Sequence, residues 1–334
     1  MPNSGLCGLQ HYKHRNFKFM KLITFNAGLL SITILGGLKK VEPAGWVEER
    51  LTKMIEVLAL QNADILLLQE VYSQHHKAQL AGALSRHLPY AAYSRKDPKF
   101  RLLPDSLMIL SRYPIARSQF TRFNSGRWDE RLLDTKGFFT ADIPDSPLGP
   151  LRISNVHTTA GVFTHPEHPK IDAIRKMQLE QLVSHTRSAA ANLKLILAGD
   201  FNCGPGVPAD SNLKIEPLML DGHKIAGPER VSVGNYRRMS ELGFADTYAS
   251  LGLPEHPTWS PTANPLNSGG EHASWGCPAQ RIDHVWVEPH SLKAERGSIF
   301  LTEHIVPVGN GRTLPISDHY GYWVDIAAVD RSEI

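Results

Sequence analysis

Two oxygen-bearing side chains one residue apart, Asp200 and Asn202, close the apolar run Leu195-Ile196-Leu197-Ala198-Gly199. Residues two apart on extended backbone point the same way, so this carboxylate and amide face one spot. That arrangement suits a hydrated hard cation, or a phosphate held through one. Taken alone, Gly-Asp-X-Asn is also an ordinary turn sequence, because Asp and Asn bond their own backbone and tolerate left-handed geometry. The same ending recurs along the chain. Leu22-Ile23-Thr24-Phe25 runs into Asn26, Ile65-Leu66-Leu67-Leu68 into Gln69 and Glu70, and Ile153-Ser154-Asn155-Val156 into His157. Asp283 lies inside the apolar Arg281 to Trp286 stretch, and Ser317-Asp318-His319 precedes the last apolar stretch. Carboxylates, amides and histidines gathered at strand ends can hold a divalent cation, orient water and move a proton.

The elements that must position these groups are legible in the hydrophobic pattern. Short continuous apolar runs read as buried strands, and the glycine of Gly199-Asp200 marks a turn out of the sheet. Gly45 to Asn62 reads as a helix with Val47, Leu51, Met54, Ile55 and Leu58 on one face. A strand, helix, strand succession then places Asn26 and Glu70 at comparable ends of neighbouring strands, where they can share a cation. Further helices are expected at His75 to His87, Ile171 to Ala191 and Val233 to Leu242, and further strands at Asp105 to Tyr113, Gly137 to Ile143 and Leu151 to Val156. Pro114 closes the first of these strands because it lacks the ladder donor. Arg112 is assigned a structural ion pair. Arg127, Arg131 and Lys136 are assigned to solvated surface, with a lining of the cleft as the alternative. Prolines and glycines make Leu253 to Gly276 a loop, which Trp259 and Trp275 either pack onto the body or turn into a substrate wall.

Bulk properties narrow the classes. The 334 residues are 42% hydrophobic and 21% charged, which is ordinary for a globular protein, and the formal charge of +3 lacks the Lys/Arg density that announces nucleic-acid binding. Three cysteines, Cys7, Cys203 and Cys277, form neither a disulfide framework nor a metal spacing. Residues 1–19 read as a loosely ordered tail without the apolar core of a secretory signal, and residues 20–330 as one domain, since the candidate groups come from both halves of the chain. A cytoplasmic location is expected, because no run approaches the roughly twenty apolar residues that cross a bilayer. Leu29 to Leu38 is the longest such run. It reads either as a buried hairpin or as an apolar prong that enters a lipid surface, with Lys39 and Lys40 at headgroup level.

The ordered set Asn26, Glu70, His157, Asp200-X-Asn202, Asp283 and Asp318-His319, with Ser-Arg-Tyr-Pro at 111–114, resembles the endonuclease/exonuclease/phosphatase superfamily from about Lys21 to Ile326. That group includes DNase I, abasic-site endonucleases, inositol polyphosphate phosphatases and neutral sphingomyelinases. The resemblance implies an α/β, four-layer α/β/β/α sandwich of two mostly antiparallel sheets, and metal-dependent phosphoester hydrolysis. Glu70, with Asn26 and Asp318, would hold Mg²⁺, or Mn²⁺ in its place. His319, oriented by Asp283 and with a pKa near the ordinary 6.5, would accept a proton from the attacking water. Asp200 and Asn202 would position water and phosphate, and His157 would offset charge on the nonbridging oxygens. The apolar insert and the long loop after His157 look most like the sphingomyelinase side, which implies a phosphodiesterase acting on a lipid headgroup, with residues 29–38 touching the membrane. A nuclease, a phosphoinositide phosphatase and a noncatalytic binding protein on the same fold are the alternatives.

Overall fold

The computed structural model describes residues 19–34, 39–94, 103–161, 168–188, 190, 192–206, 218–220, 223–225, 233–267 and 279–330. Two six-stranded sheets dominate. The first runs Leu292–Phe300, Gly321–Ala328, Phe19–Asn26, Ile65–Gln69, Met108–Ser111, Tyr90–Ala92. The second runs Ala245–Asp246, Asp283–Val287, Lys194–Asp200, Leu151–His157, Gly137–Ile143, Arg117–Arg122. Each sheet is antiparallel except for one parallel pair near its centre.

The strands' period of two explains the layers. Along Phe19–Asn26, Leu22 enters the core between the sheets, while Ile23 packs outward against the helices Val47–Ala59 and Gln74–Leu84 through Leu51, Met54 and Leu80. Along Lys194–Asp200, Ile196 and Ala198 face the first sheet. Leu195 and Leu197 face outward, sharing an apolar cluster with Leu179 and Leu182 of His168–Arg187 and Met239 of Val233–Glu241. The result is a sandwich of helices, sheet, sheet and helices, the DNase I-like fold, as expected. One polar bridge crosses the apolar interior: Gln69 Nε2 donates to Asn155 Oδ1 at 2.6 Å, and Asn155 Nδ2 donates to the carbonyls of Leu68 and Met108. It pins the two sheets together directly beneath the ends of their central strands.

Several expectations need adjusting. Phe19 belongs to the first strand rather than to the tail, whose residues 1–18 lie outside the described residues. The edge strands Arg117–Arg122 and Leu292–Phe300 carry so much polar side chain that no apolar alternation marks them. Leu29 is fully buried in the core beneath the first helices, as the structural reading expects of it, and Ile32–Ile34 pairs with Lys39–Val41 as a hairpin. Residues 35–38 lie outside the described residues, as do Trp275, Cys7 and Cys277. Trp259 is buried, and its backbone bridges both Gln280 and His319, so it fastens its loop to the body. Arg112 pairs with Asp64 at 3.0 Å. Among the described residues no helix is long and apolar enough to cross a membrane.

Candidate active site

Strand register assembles the site. Across the first sheet Asn26 stands beside Gln69, with Glu70 next in the chain. Across the second, Gly137, His157, Asp200 and Asp283 form one row, so that Lys136, His157, Asp200 and Asp283 reach the same end of the sandwich. Glycine is required one residue before this row: Gly199 has φ 139°, and a Cβ there would stand 2.1 Å from the carbonyl of Val156 on the neighbouring parallel strand. Just past the row, Asn202 turns back with φ 48°, and its N–H donates to Asp200 Oδ1 at 2.9 Å. Glu70 is likewise held left-handed, at φ 57°. That conformation is costly for a residue with a Cβ, and such strain is found where surroundings over-determine a functional group.

The two rows meet at Asn26. Its Nδ2 donates to Asp200 Oδ2 at 3.0 Å and to Glu70 Oε1 at 3.3 Å, while its Oδ1 accepts from Gly28 N at 3.1 Å. In this arrangement Asn26 bridges the carboxylates of the two sheets and turns its own oxygen away from them. His319 Nδ1 donates to Asp283 Oδ2 at 2.8 Å, leaving Nε2 facing Asp200 Oδ2 at 3.9 Å. Asp283 Oδ1 is buried without a hydrogen-bond partner among the described residues. Asp318 takes a hydrogen bond from Ser317 Oγ at 3.0 Å and packs on Gly28, where a Cβ would stand 2.2 Å from its Oδ1. All eight groups anticipated from the sequence therefore stand at one end of the sandwich.

Electrostatics revises two roles. Burial, then the charge of Asp318, pushes Glu70 up to about 7, and burial, then Asp283, pushes Asp200 up to about 6. These carboxylates are short of positive charge. For His319, burial lowers the pKa, but Asp283 through its charge and hydrogen bond, followed by Asp200 and Asp318, outweighs burial and raises it to about 10. The expected ordinary histidine near 6.5 is thus replaced by an imidazolium, which becomes a base only when those carboxylates are neutralised. His157 is the opposite case: burial first, then the Lys136 ammonium, hold it well below its ordinary value. Lys136 Nζ donates to His157 Nε2 at 2.7 Å, so the ammonium, rather than the imidazole, is the cationic donor in this part of the site. The assignment of Lys136 to solvated surface is corrected accordingly. Its strand begins at Gly137, opposite His157, a register that the sequence does not report. Cys203 next to Asn202 is fully buried and its thiol is pushed up to about 12, which makes it inert packing.

The donor set fits a divalent cation. Glu70, Asp200 and Asp318 supply hard oxygens, and the missing side chain of Gly28 makes the space into which Asp318 Oδ1 projects. The buried group Asp200, Asp283 and His319 also brings one ligand atom each to within 4.8 Å of the others. His319 Nδ1 is committed to Asp283, which leaves Nε2 and the carboxylate oxygens as the candidate ligands, and hard oxygens are what a divalent cation takes.

The sequence pattern of the Endonuclease/Exonuclease/phosphatase family matches residues 23–319, and the chain belongs to that family, whose members are phosphoester hydrolases. No curated protein matches the chain. Among solved structures, beta toxin from Staphylococcus aureus with bound magnesium ions is similar at TM-score 0.65 and 15% identity, over 92% of this chain and 99% of that one. Sphingomyelinase C from Streptomyces griseocarneus is similar at TM-score 0.61 and 17% identity, over 92% and 99%. TDP2 of D. rerio, complexed with a single-strand DNA product, is similar at TM-score 0.61 and 16% identity, over 92% and 98%.

Proposed function

We propose that the protein is a Mg²⁺-dependent phosphodiesterase that hydrolyses a phospholipid headgroup ester. The observation that carries the reaction class is the set of buried carboxylates left without enough positive charge beside a histidine already oriented by Asp283. Glu70, Asp318 and Asp200 would hold the cation, which would polarise the phosphoryl group and steady the leaving oxygen. The Lys136 ammonium would donate an N–H to a nonbridging phosphate oxygen, while His157, kept neutral, accepts from it on the other side. Asn26 and Asn202 keep Asp200 aligned through N–H donors, so that its carboxylate can orient the attacking water. His319 Nε2, once neutral, accepts that water's proton while Asp283 stabilises the imidazolium formed.

The lipid substrate has separate support. A sphingomyelinase is among the similar folds. Trp128 and Leu132, one helical turn apart on the short helix Trp128–Leu133, are 76% and 61% exposed. Glu130 of the same turn accepts from Thr159 Oγ1 at 2.7 Å and from Ala160 N at 3.3 Å, just after His157. Exposed Trp and Leu beside the site offer the apolar contact that an interfacial substrate needs. Residues 29–38 belong to this reading only through the part of the hairpin that is not buried. The test is a panel of sphingomyelin, phosphoinositide, single-stranded DNA and a soluble diester, each with Mg²⁺ and with chelator. The reading expects chelator-sensitive cleavage of sphingomyelin in vesicles above the others. Preferential cleavage of DNA or of a phosphoinositide overturns the lipid substrate, and cleavage indifferent to chelator overturns the metal mechanism.

A further inference from the structure

Arg50 is fully buried, on the apolar face of the helix Val47–Ala59, and no carboxylate lies within ion-pair distance of it among the described residues. A buried guanidinium must have its donors met, and here every acceptor is a backbone carbonyl. Nε donates to Gly45 O at 2.8 Å, Nη1 to Ala27 O at 3.1 Å and to Ile316 O at 3.0 Å, and Nη2 to Gly28 O at 2.5 Å. Gly45 belongs to the turn leading into Arg50's own helix, so that contact is local. The other three acceptors lie on the two turns that carry the site: Ala27 and Gly28 follow Asn26, and Ile316 precedes Ser317, Asp318 and His319. A second tie joins the same turns, from Ser317 Oγ to Asn26 O at 2.7 Å. At their contact Gly28, at φ 56°, makes room for Asp318 Oδ1. Among the carboxylates, Asp318 and then Glu70 act most strongly on the guanidinium through their charge.

We propose that Arg50 is a positioning residue that clamps the Asn26–Gly28 turn to the Ile316–Asp318 turn and thereby sets the separation of Glu70 and Asp318 about a divalent cation. The inference rests on the cation-binding reading of the site given above. Its logic is geometric. A planar fork with five donors can hold carbonyls on separate segments at fixed relative positions, whereas a lysine ammonium presents its donors from one point and cannot span them. A carboxylate pair held at the spacing a small hard ion demands binds it tightly, and Mg²⁺ is intolerant of departures from that spacing. The positive charge of Arg50 acts in the other direction, repelling a bound cation. Removing the side chain therefore separates the two effects: loss of the clamp weakens cation binding, while loss of charge alone would strengthen it.

The experiment measures the dissociation constant of Mn²⁺ by electron paramagnetic resonance, with a thermal melt of each variant alongside. Arg50→Lys keeps the charge and loses the clamp, and Arg50→Met loses both. The proposal expects both variants to bind Mn²⁺ about 10- to 100-fold more weakly, the range seen when residues supporting metal ligands are removed. It also expects the Mg²⁺ concentration for half-activation to rise by the same factor, with turnover at saturating Mg²⁺ largely recovered. A merely structural role would lower the melting temperature and leave the affinity of the folded fraction unchanged, and that result overturns the proposal. Should neither Arg50 variant fold, Arg50→Gln, whose short planar amide cannot reach carbonyls on both turns, takes their place, and unchanged Mn²⁺ affinity in that variant also overturns it. If the wild-type protein binds no Mn²⁺, the cation-binding reading itself falls, an outcome distinct from variants that bind as tightly as wild type.

Discussion

Two acidic clusters lie near each other on the second sheet, and the fold treats them in opposite ways. Asp246 and Asp200 are both nearly sealed, at 5% and 2% exposure. Around Asp246 the carboxylate is fully provided for: Arg281 Nη1 donates to it at 2.6 Å and the Tyr236 hydroxyl at 2.7 Å. The same arginine reaches Glu255 through Nε at 2.7 Å and donates to His284 Nδ1 at 2.8 Å. Burial alone would raise the pKa of Asp246, yet the His284 contact, the Arg281 charge and the tyrosine together hold it well below the usual carboxylate range. Asp200 takes its hydrogen bonds from the Asn26 amide and the Asn202 backbone N–H, has His319 Nε2 no nearer than 3.9 Å, and is pushed up to about 6 by burial and then by Asp283. Equal burial with opposite shifts traces the difference to partners rather than depth, the pattern expected of a structural carboxylate beside one that a ligand would complete.

The sharpest way to break this contrast is at Glu70. Glu70→Gln should lower hydrolysis by about 10³-fold, because the lost Lewis-acid stabilisation amounts to several kcal/mol. The melting temperature without metal should hold or rise, since the substitution removes a charge the fold does not offset. A variant that keeps its activity, or that unfolds, would contradict the assignment. His319→Ala should lower turnover by roughly 10² to 10⁴ with little change in the Michaelis constant, and a change in the Michaelis constant alone would remove it from proton transfer. On the structural side, Arg281→Met strands Asp246 in the interior and should cost about 3–5 kcal/mol of stability by urea titration. A loss below about 1 kcal/mol would mean that the Asp246 network is not structural.

The smallest effect is the dependence of stability on pH, and the two clusters give it opposite signs. Glu70 and Asp200 have folded values of about 7 and about 6, above the ordinary 4.5 and 3.8, so the folded state holds extra protons and the metal-free protein loses stability as pH rises from about 4 to 7. His319, raised from 6.5 to about 10, extends that loss: its stabilisation is complete below 6.5 and disappears as pH rises through 10. Asp246 is depressed, so its contribution is complete above about 4 and is lost only as pH falls below that. Melting temperatures of wild type and Asp200→Asn from pH 4 to 8 check this, with a flatter profile expected in the variant. Parallel profiles would show that Asp200 carries no raised pKa.

Much of the candidate site was legible because Asn26, His157 and Asp200 each end an apolar strand and Glu70 directly follows one, and a strand's end is fixed once its burial is known. What stayed hidden depends on neighbours distant in sequence. The raised pKa of His319 comes from Asp283, Asp200 and Asp318, brought together from three segments of chain. Lys136 looks like any lysine before a strand until the register places it against His157. Arg50 carried a readable sign, a charged residue at helical spacing among Val47, Leu51, Met54 and Leu58, but its acceptors are backbone atoms that no side-chain pattern reports. The helix Trp128–Leu133 was missed because six residues are too few to show a period.

The central claim, that this end of the sandwich holds carboxylates kept for a divalent cation, is tested most directly by calorimetric titration of Mg²⁺ into the metal-free protein at pH 6.5, in two buffers of different ionisation enthalpy. With Glu70 near 7 and Asp200 near 6, cation binding must displace protons, so the apparent enthalpy should differ between the buffers by a measurable fraction of a proton per site. The release should shrink in Glu70→Gln and vanish for wild type at pH 9 once the contribution of His319 is subtracted. Saturable binding without proton release would contradict the raised carboxylates, and the absence of binding at millimolar Mg²⁺ would contradict the site.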